Sequence, residues 1–477
     1  MRSKKSAGRR KESAQPKVDW KALEIVPPDA AGIDVGSSEH GVAVSPERDP
    51  EPVRCFGCFT ADVREMARWL LEKGVRRVVL PSRGVYWRPG WEVLEQPGLE
   101  VFLVNARHTQ NVPGRQSDVE ECQWLLNVPG RKSDVEECQW LLKLHTFGLL
   151  NNSFQPTDEI RVARTLWRQR GKLVAEASSA IPRIQKTWIE RNVPLSSVLS
   201  DLSGVSGRKI IPAILEGERD PWAWAAWVEP GGKATREDIA QSWEGNWRKE
   251  LLFVLRQEVE LYRTYPEKIY DCDLELREHR ESIGSKVDLP AQPLGPQPKG
   301  KKSGRNTPPF DWRTELYRIP GMDWAQGNGI EVVTAQTVRA ECGADRSAFP
   351  SQKQFTSGLG LVPTHEQSGG KILKRRTRQV VNRAATAFRT AAPTLVRSPS
   401  YLGAQYRRLR TRLGAPKAIT AMARKLACRF YRLIQHGQQY VDKGMEYYEA
   451  KYREQQIRSL MKRALKLGFQ LVAPETA

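Results

Sequence analysis

Three groups of side chains in this sequence could do chemistry. Asp34 lies in the apolar run "GIDVGSS", where a carboxylate is costly to bury unless a cation or a hydrogen-bond donor meets it. It can serve a hard divalent cation as a ligand, or cap a turn through Gly36. The second group is written twice. Asn111–Leu126 and Asn127–Leu142 are the same sixteen residues but for Gln116 against Lys132. In the first copy Ser117 can cap a helix whose first turn carries Asp118, Glu120 and Glu121. Acids in a first turn complement the helix dipole, which is a sufficient structural reason for them. Asp118 and Glu121 are also three residues apart and share a helix face, as do Asp134 and Glu137 in the second copy. Two oxygens on that face, set against Asp34, complete a hard-cation site.

The third group is "HEQSGGKILKRRTRQVVNRAATAFRTAA". Ser368 precedes a Gly-Gly pair and is followed by Lys371, Lys374, Arg375, Arg376, Arg378 and Arg383. Loop serines are common and most do nothing. A serine on a glycine turn inside a basic cluster is more specific, because it can meet a DNA phosphate whose charge is already neutralised. Upstream, "IPGMDWAQGNGIEVVTAQTVRAECG" sets glycine turns before a helix, a place where backbone amides bind phosphate.

The elements that must carry these groups are legible as patterns. "AAGIDVGSS", "HGVAVSP" and "VRCFGCFT" read as three successive strands. "ADVREMARWLLEKG" is a helix with a glycine cap. The strand "VRRVVLPS", a helix from about Trp87 to Leu94 and the strand "LEVFLVNA" follow. Three strands and then alternating helix and strand is the order of a ribonuclease-H-like α/β domain, whose first strand commonly carries a metal-binding aspartate. Residues 157–283 read as a helical, coiled-coil-like insert built from Thr157–Asn192 and Trp247–Ile283. Pro182 is expected to kink or split the first helix, and "GERDPWAWAAWVEPGG" to form a loop-rich tip. Residues 284–311, rich in Pro, Gly and Lys, read as a flexible linker and a domain boundary. Residues 312–470 form a further, mainly helical unit, and residues 1–29 a basic tail.

The chain has 477 residues, with Lys plus Arg at 76 against 55 Asp plus Glu, a formal charge of +21. Such an excess favours polyanionic partners. No apolar run is long enough to span a bilayer, and the basic N-terminus lacks the apolar core of a secretory signal. Seven cysteines do not make a disulfide framework in a chain this long. Cys55 and Cys58 form a C-x-x-C without a second ligand pair, and they read as strand cysteines of a reducing, cytoplasmic protein.

In order along the chain, "GIDVGSS", "GVYWRPGWEVLE", "VNARHTQNVPGR" with "SDVEECQWL", "SGGK…RTR…NRAA" and "GAPKAITAMARKLA" resemble the DEDD transposases of the insertion-sequence one-ten family. The resemblance spans roughly residues 30 to 470. It implies a RuvC-like N-terminal domain over 30–156 with four acids binding Mg2+, the coiled-coil insert, and a C-terminal domain with a serine nucleophile. That serine attacks a DNA phosphate to give a covalent intermediate. A noncoding bridge RNA pairs with target and donor DNA, and the protein works as a dimer that pairs into a tetramer. Carried onto this chain, the first acid is Asp34 and the nucleophile Ser368. The third and fourth acids fall on Asp118 and Glu121, or on Asp134 and Glu137.

The family's second acid is missing. Where the family reads "ES-x-GVYW" this chain reads "PSRGVYW", which puts Pro81 at the glutamate, and Glu92 in the next helix is a poor substitute. The fourth acid is usually Asp, and the family's "KGANRA" stretch is here "RQVVNRA". With the duplication, these departures point to an impaired copy. Only one of the two repeats can take the native position. Pro129 and Gly130 break any helix continuing from the first copy, so the other copy loops out. Two other readings are weighed against this one. One is a catalytically dead nucleic-acid-binding remnant. The other is a sugar kinase or actin-like ATPase, which rests on the similarity of "GIDVG" to their phosphate loop alone.

Overall fold

The structure is a computed structural model. It describes residues 29–472 except 83, 106–108, 110–131, 194–203, 229–234, 297–305, 326, 344–348, 369–370, 378–381 and 438–442. The chain divides into two units, Met1–Gln155 and Pro156–Ala477.

The first unit is built on a five-stranded sheet: β1 (Ala30–Val35), β2 (Glu39–Val44), β3 (Val53–Gly57), β4 (Arg77–Pro81) and β5 (Glu100–Val104). Its spatial order is β3-β2-β1-β4-β5. The first three strands form an antiparallel meander, and β4 and β5 add in parallel to β1. Helices α1 (Thr60–Glu72) and α2 (Trp87–Glu95) follow β3 and β4. These are the elements the alternation in the sequence predicts. Because helices cover both faces, β1 is buried along its whole length, as expected of a strand central to a mixed sheet.

Its odd positions, Ala31, Ile33 and Val35, pack with Val63, Met66, Leu70, Trp91 and Leu94 of α1 and α2. The opposite face is covered by α3 (Lys132–Thr146). On that side Val135 and Cys138 meet Ala43 and Val53, while Leu141 and Leu144 meet Val79 and Val104. α3 is made from the second repeat copy; the first copy lies outside the described residues.

The second unit starts with α4 (Asp158–Ile189) and ends its first half with α8 (Lys249–Glu281). The two helices run antiparallel, bridged by Arg170–Asp273 and Arg183–Glu258. Pro182 does not split α4, which runs through it as one helix. Burial of both flanking turns, at Ala180, Ile184 and Trp188, outweighs the one backbone bond that proline removes.

The stretch expected to form a loop-rich tip, residues 217–232, holds the short helix α6 (Pro221–Ala226), and is flanked by α5 (Val205–Glu216) and α7 (Arg236–Ser242). Trp188, Trp224 and Trp243 form a core there, with Trp247 against them.

Helices α9 (Trp312–Arg318), α10 (Val332–Cys342) and α11 (Gln352–Gly358) come next, then the hairpin β6 (Pro363–Ser368) and β7 (Lys371–Thr377). The chain continues through α12 (Arg383–Thr394), α13 (Tyr401–Leu413), α14 (Ala415–His436) and α15 (Gly444–Lys466). Trp324, Phe355, Phe388 and Phe430 centre this core.

The helical insert and the C-terminal helices are one unit. Arg168 grips Glu341 with two hydrogen bonds, Arg164 donates to the carbonyls of Ala340 and Glu341, and Trp167 packs with Trp312. The boundary expected at 284–311 therefore lies inside the second unit.

Candidate functional site

Asp34 sits at the carboxyl end of β1, only 7% exposed. In the antiparallel meander it stands opposite Gly41, and Gly41 stands opposite Cys55. Gly32 pairs with Val79 across β1 and β4. Continuing that register by two residues sets Pro81 beside Asp34, and the two-residue period puts both on the α3 face.

α3 runs back along the sheet. Its carboxyl end lies at the amino ends of the strands, where the charges of Arg77, Glu100 and Asp29 reach His145. Its Cys138 lies within reach of Asp34: burial, and then the Asp34 charge, push that thiol far above its ordinary range. The first turns of α3, which hold Asp134 and Glu137, are thus at the end of the sheet where Asp34 lies. Glu137 is half-buried. The side chain of Asp134 and the whole of Asp118 and Glu121 lie outside the described residues.

The close approach of helix and strand depends on Gly32, which the sequence analysis did not single out. A Cβ there would stand 2.1 Å from the Cys138 carbonyl oxygen and 2.6 Å from the Leu142 nitrogen. The signal was available, since a glycine inside a strand pattern often marks close backbone approach.

Among the described residues no three His, Cys, Asp or Glu side chains gather as metal ligands. Asp34 and the acids of α3 are oxygen donors suited to a hard cation. Pro81, in the same row, offers a ring in place of an oxygen. Carboxylate oxygens fit such an ion in kind, and Pro81 stands where the resemblance implies a further carboxylate. Cys55 and Cys58 are exposed on the far edge strand and the loop after it.

In the second unit Ser368 is the last residue of β6 and pairs with Lys371, the first of β7. Gly369 and Gly370, the two residues between them, lie outside the described residues. The hairpin carries the basic cluster on its second strand: Lys374 stands opposite Glu366, Arg375 opposite His365 and Arg376 opposite Thr364. The register slips between Glu366 and Gln367, leaving Leu373 as the extra residue of β7, largely exposed. Such a bulge increases twist at the tip of a ribbon.

Arg378 lies outside the described residues. Arg383 is not on the hairpin. It is exposed at the first position of α12, after Asn382, whose Oδ1 accepts the Ala385 N–H at 3.0 Å. The cap occupies the Ala385 N–H, so what this helix start offers an anion is the Arg383 side chain and the positive end of the helix dipole. Glu92, the weak substitute for the missing acid, is on α2, the helix on the other face of the sheet from α3. No helix is long and apolar enough to cross a membrane among the described residues.

Two comparisons bear on these arrangements. A transposase family model of the DEDD, IS110 kind matches residues 31–188, the stretch that begins with β1. A second, the transposase model of the IS116/IS110/IS902 family, matches residues 325–407, the stretch that contains the basic hairpin and α12. No curated protein matches the chain. The two models fall in chain order on the sheet that carries Asp34 and on the hairpin that carries Ser368: the chain belongs to the IS110 family of transposases.

Proposed function

We propose that the protein cuts and rejoins DNA through a serine–DNA phosphodiester, with a RuvC-like carboxylate site assisting. The observation that carries this reading is the position of Asp34, buried at the carboxyl end of the central strand under the acid-bearing start of α3. A meander followed by parallel strands, in the order β3-β2-β1-β4-β5, supports a ribonuclease-H-like ancestry for the sheet. Asp34, Asp134 and Glu137 are the residues that would hold Mg2+. When bound, the ion supplies charge stabilisation for phosphoryl transfer.

Ser368 is the nucleophile in this reading. Its Oγ gives up its proton as it bonds to phosphorus, the P–O bond to the neighbouring sugar breaks, and the departing sugar oxygen takes up a proton in exchange. Lys371, Lys374, Arg375, Arg376 and Arg378 hold the strand and offset the charge of its phosphates, and Arg383 adds a cation at the start of α12. A bridge RNA supplying sequence choice, and a dimer pairing into a tetramer, belong to the same reading.

Pro81 favours a second reading for this copy. Loss of one carboxylate from a cation site weakens both affinity and geometry, which makes a nucleic-acid-binding remnant without turnover the alternative.

Gel detection of a covalent protein–DNA adduct separates the two. The native chain, Ser368→Ala and a repaired chain (Pro81→Glu with one repeat removed) are incubated with element-end DNA, the neighbouring RNA and Mg2+. Adduct from the native chain, absent from Ser368→Ala, supports a working recombinase. Adduct from the repaired chain alone supports an impaired copy on a sound scaffold. Strand cleavage that survives Ser368→Ala would remove Ser368 from the mechanism.

A further inference from the structure

The second unit holds a cavity of about 720 Å³ between α4, α5 and α8, remote in sequence from both the sheet and the hairpin. That volume falls within the roughly 300–1,000 Å³ of ordinary small-ligand sites. Its floor is aliphatic, formed by Ile184, Ile211 and Val259 at the edge of the tryptophan core. Tyr262 and Tyr270, two turns apart on α8, supply aromatic walls, the first half-buried and the second exposed.

The charge of the lining is lopsided. Arg170, Arg208 and Arg263 face it with a single carboxylate, Asp273. Asp273 is already held by Arg170 through bonds of 2.6 and 3.1 Å. Arg208 and Arg263 are exposed and make no ion pair among the described residues. The rest of α8 is rich in acids, so the positive balance is local to the cavity. Asn306 and Thr307 close one side with donors and acceptors.

An occupant suited to this lining is planar, polar at its edges and anionic at one end. We propose that the cavity receives one unstacked nucleotide, its base against Tyr262 and Tyr270 and its phosphate at Arg208 and Arg263. The inference rests on the nucleic-acid reading above and names a contact which that reading does not require. Aromatic faces take any base by stacking, and arginines track the backbone, as single-strand sites do. A base inside a duplex cannot enter, because it is stacked on both sides.

The test is photocrosslinking of the full chain to a single-stranded oligonucleotide carrying one 5-iodouracil, with the linked peptide identified by mass spectrometry. The crosslink is expected on the peptide containing Tyr262 or Tyr270. Tyr262→Ala with Tyr270→Ala lowers strand affinity about tenfold. Arg208→Gln with Arg263→Gln reduces the slope of log affinity against log salt by about 0.7, one single-strand phosphate contact. Ser178→Trp places an indole at the mouth and removes the crosslink while the melting temperature holds.

Uridine monophosphate is the competing arm. If it removes the tyrosine crosslink at concentrations near the strand's own Kd, the site takes free nucleotide. If millimolar amounts are needed, it takes a nucleotide within a strand. Strand binding at full affinity with crosslinks only outside the cavity, unchanged by Ser178→Trp, overturns the inference and spares the nucleic-acid reading. Absence of any strand binding overturns both. Crosslinks to a second copy of the protein through the cavity mouth, with no nucleotide effect, would assign the cavity to self-association and overturn it as well.

Discussion

The carbonyl oxygen of Cys138 lies where a side chain on Gly32 would begin, 2.1 Å from the Cβ position. The helix made from the second repeat therefore rests on bare strand backbone, and this contact sets its height above Asp34. Gly32→Ala should displace α3 and cost about 1–3 kcal/mol, the usual range for forced overpacking. Thermal melting is the check, with a fall of several degrees expected. Gly90→Ala is the control: nothing lies within 4 Å of its added methyl, so it should be neutral or slightly stabilising. Equal losses from the two variants would mean that the helix does not sit on Gly32.

Removing one repeat should leave the fold intact. The copies differ only at Gln116 and Lys132, so deleting either gives nearly the same chain. Between β5 and α3 the connection drops from about 27 to about 11 residues, and joining two elements through fewer residues carries a lower closure entropy. A melting temperature equal to or slightly above the native one is expected. A markedly less stable product would show that the first copy supports the fold.

Acid should weaken the first unit through His40 and His145. Both rings are buried, and burial holds each below the ordinary value of 6.5, with Arg77 adding to the effect at His145. The folded state keeps them neutral while the unfolded chain protonates near that value. Their contribution is thus complete above about pH 6.5 and declines as pH falls through it towards the lower folded values. Urea midpoints at pH 7.5, 6.5 and 5.5 should fall in that order. His145→Gln, although less stable at neutral pH, should show a shallower decline. A variant as pH-sensitive as the native chain would acquit His145.

The strands and helices of the first unit were legible because buried alternation and glycine caps are local signals. What selects the repeat copy is less local. Leu141, Leu144 and His145 must follow the acid turn without a break to reach Val79, Val104 and Phe102, and only the second copy is continuous with them. Pro182 misled for a related reason, since its local penalty is small beside the packing of the turns on both sides. Pro81 could be read as a missing acid, but its place in the same row as Asp34 needed the strand register. Residues 217–232 read as a loop-rich tip because Gly and Pro punctuate them, and that local pattern does not disclose that Trp224 joins Trp188 and Trp243 in a core.

The pair Arg170–Asp273 joins α4 to α8 with both side chains almost fully buried. Burial raises the Asp273 carboxyl above its ordinary range despite the two Arg170 bonds. Arg170→Met leaves that carboxylate without its partner and should cost about 3–5 kcal/mol at pH 7. The loss should shrink as pH falls and Asp273 takes up a proton. The double variant Arg170→Met, Asp273→Leu should regain most of the stability. Denaturant titration of the three variants decides it. A double variant no better than the single one would show that the site cannot pack apolar groups.

Pro81→Glu tests whether the carboxyl end of the sheet is a cation site. Neighbouring strands lie about 4.8 Å apart, so the new carboxylate would stand beside the buried Asp34. Two such charges disfavour each other's ionisation, and without a cation the variant should melt below the native chain. Mg2+ offsets that repulsion and stabilises by mass action, about 2.7 kcal/mol at a hundred times Kd. Melting curves in chelator and in Mg2+ should therefore show a larger magnesium-dependent rise for Pro81→Glu than for the native chain. Asp34→Asn placed on top of Pro81→Glu should abolish the difference. A rise that survives Asp34→Asn places the ion elsewhere, and the absence of any rise means that these carboxylates do not form a cation site.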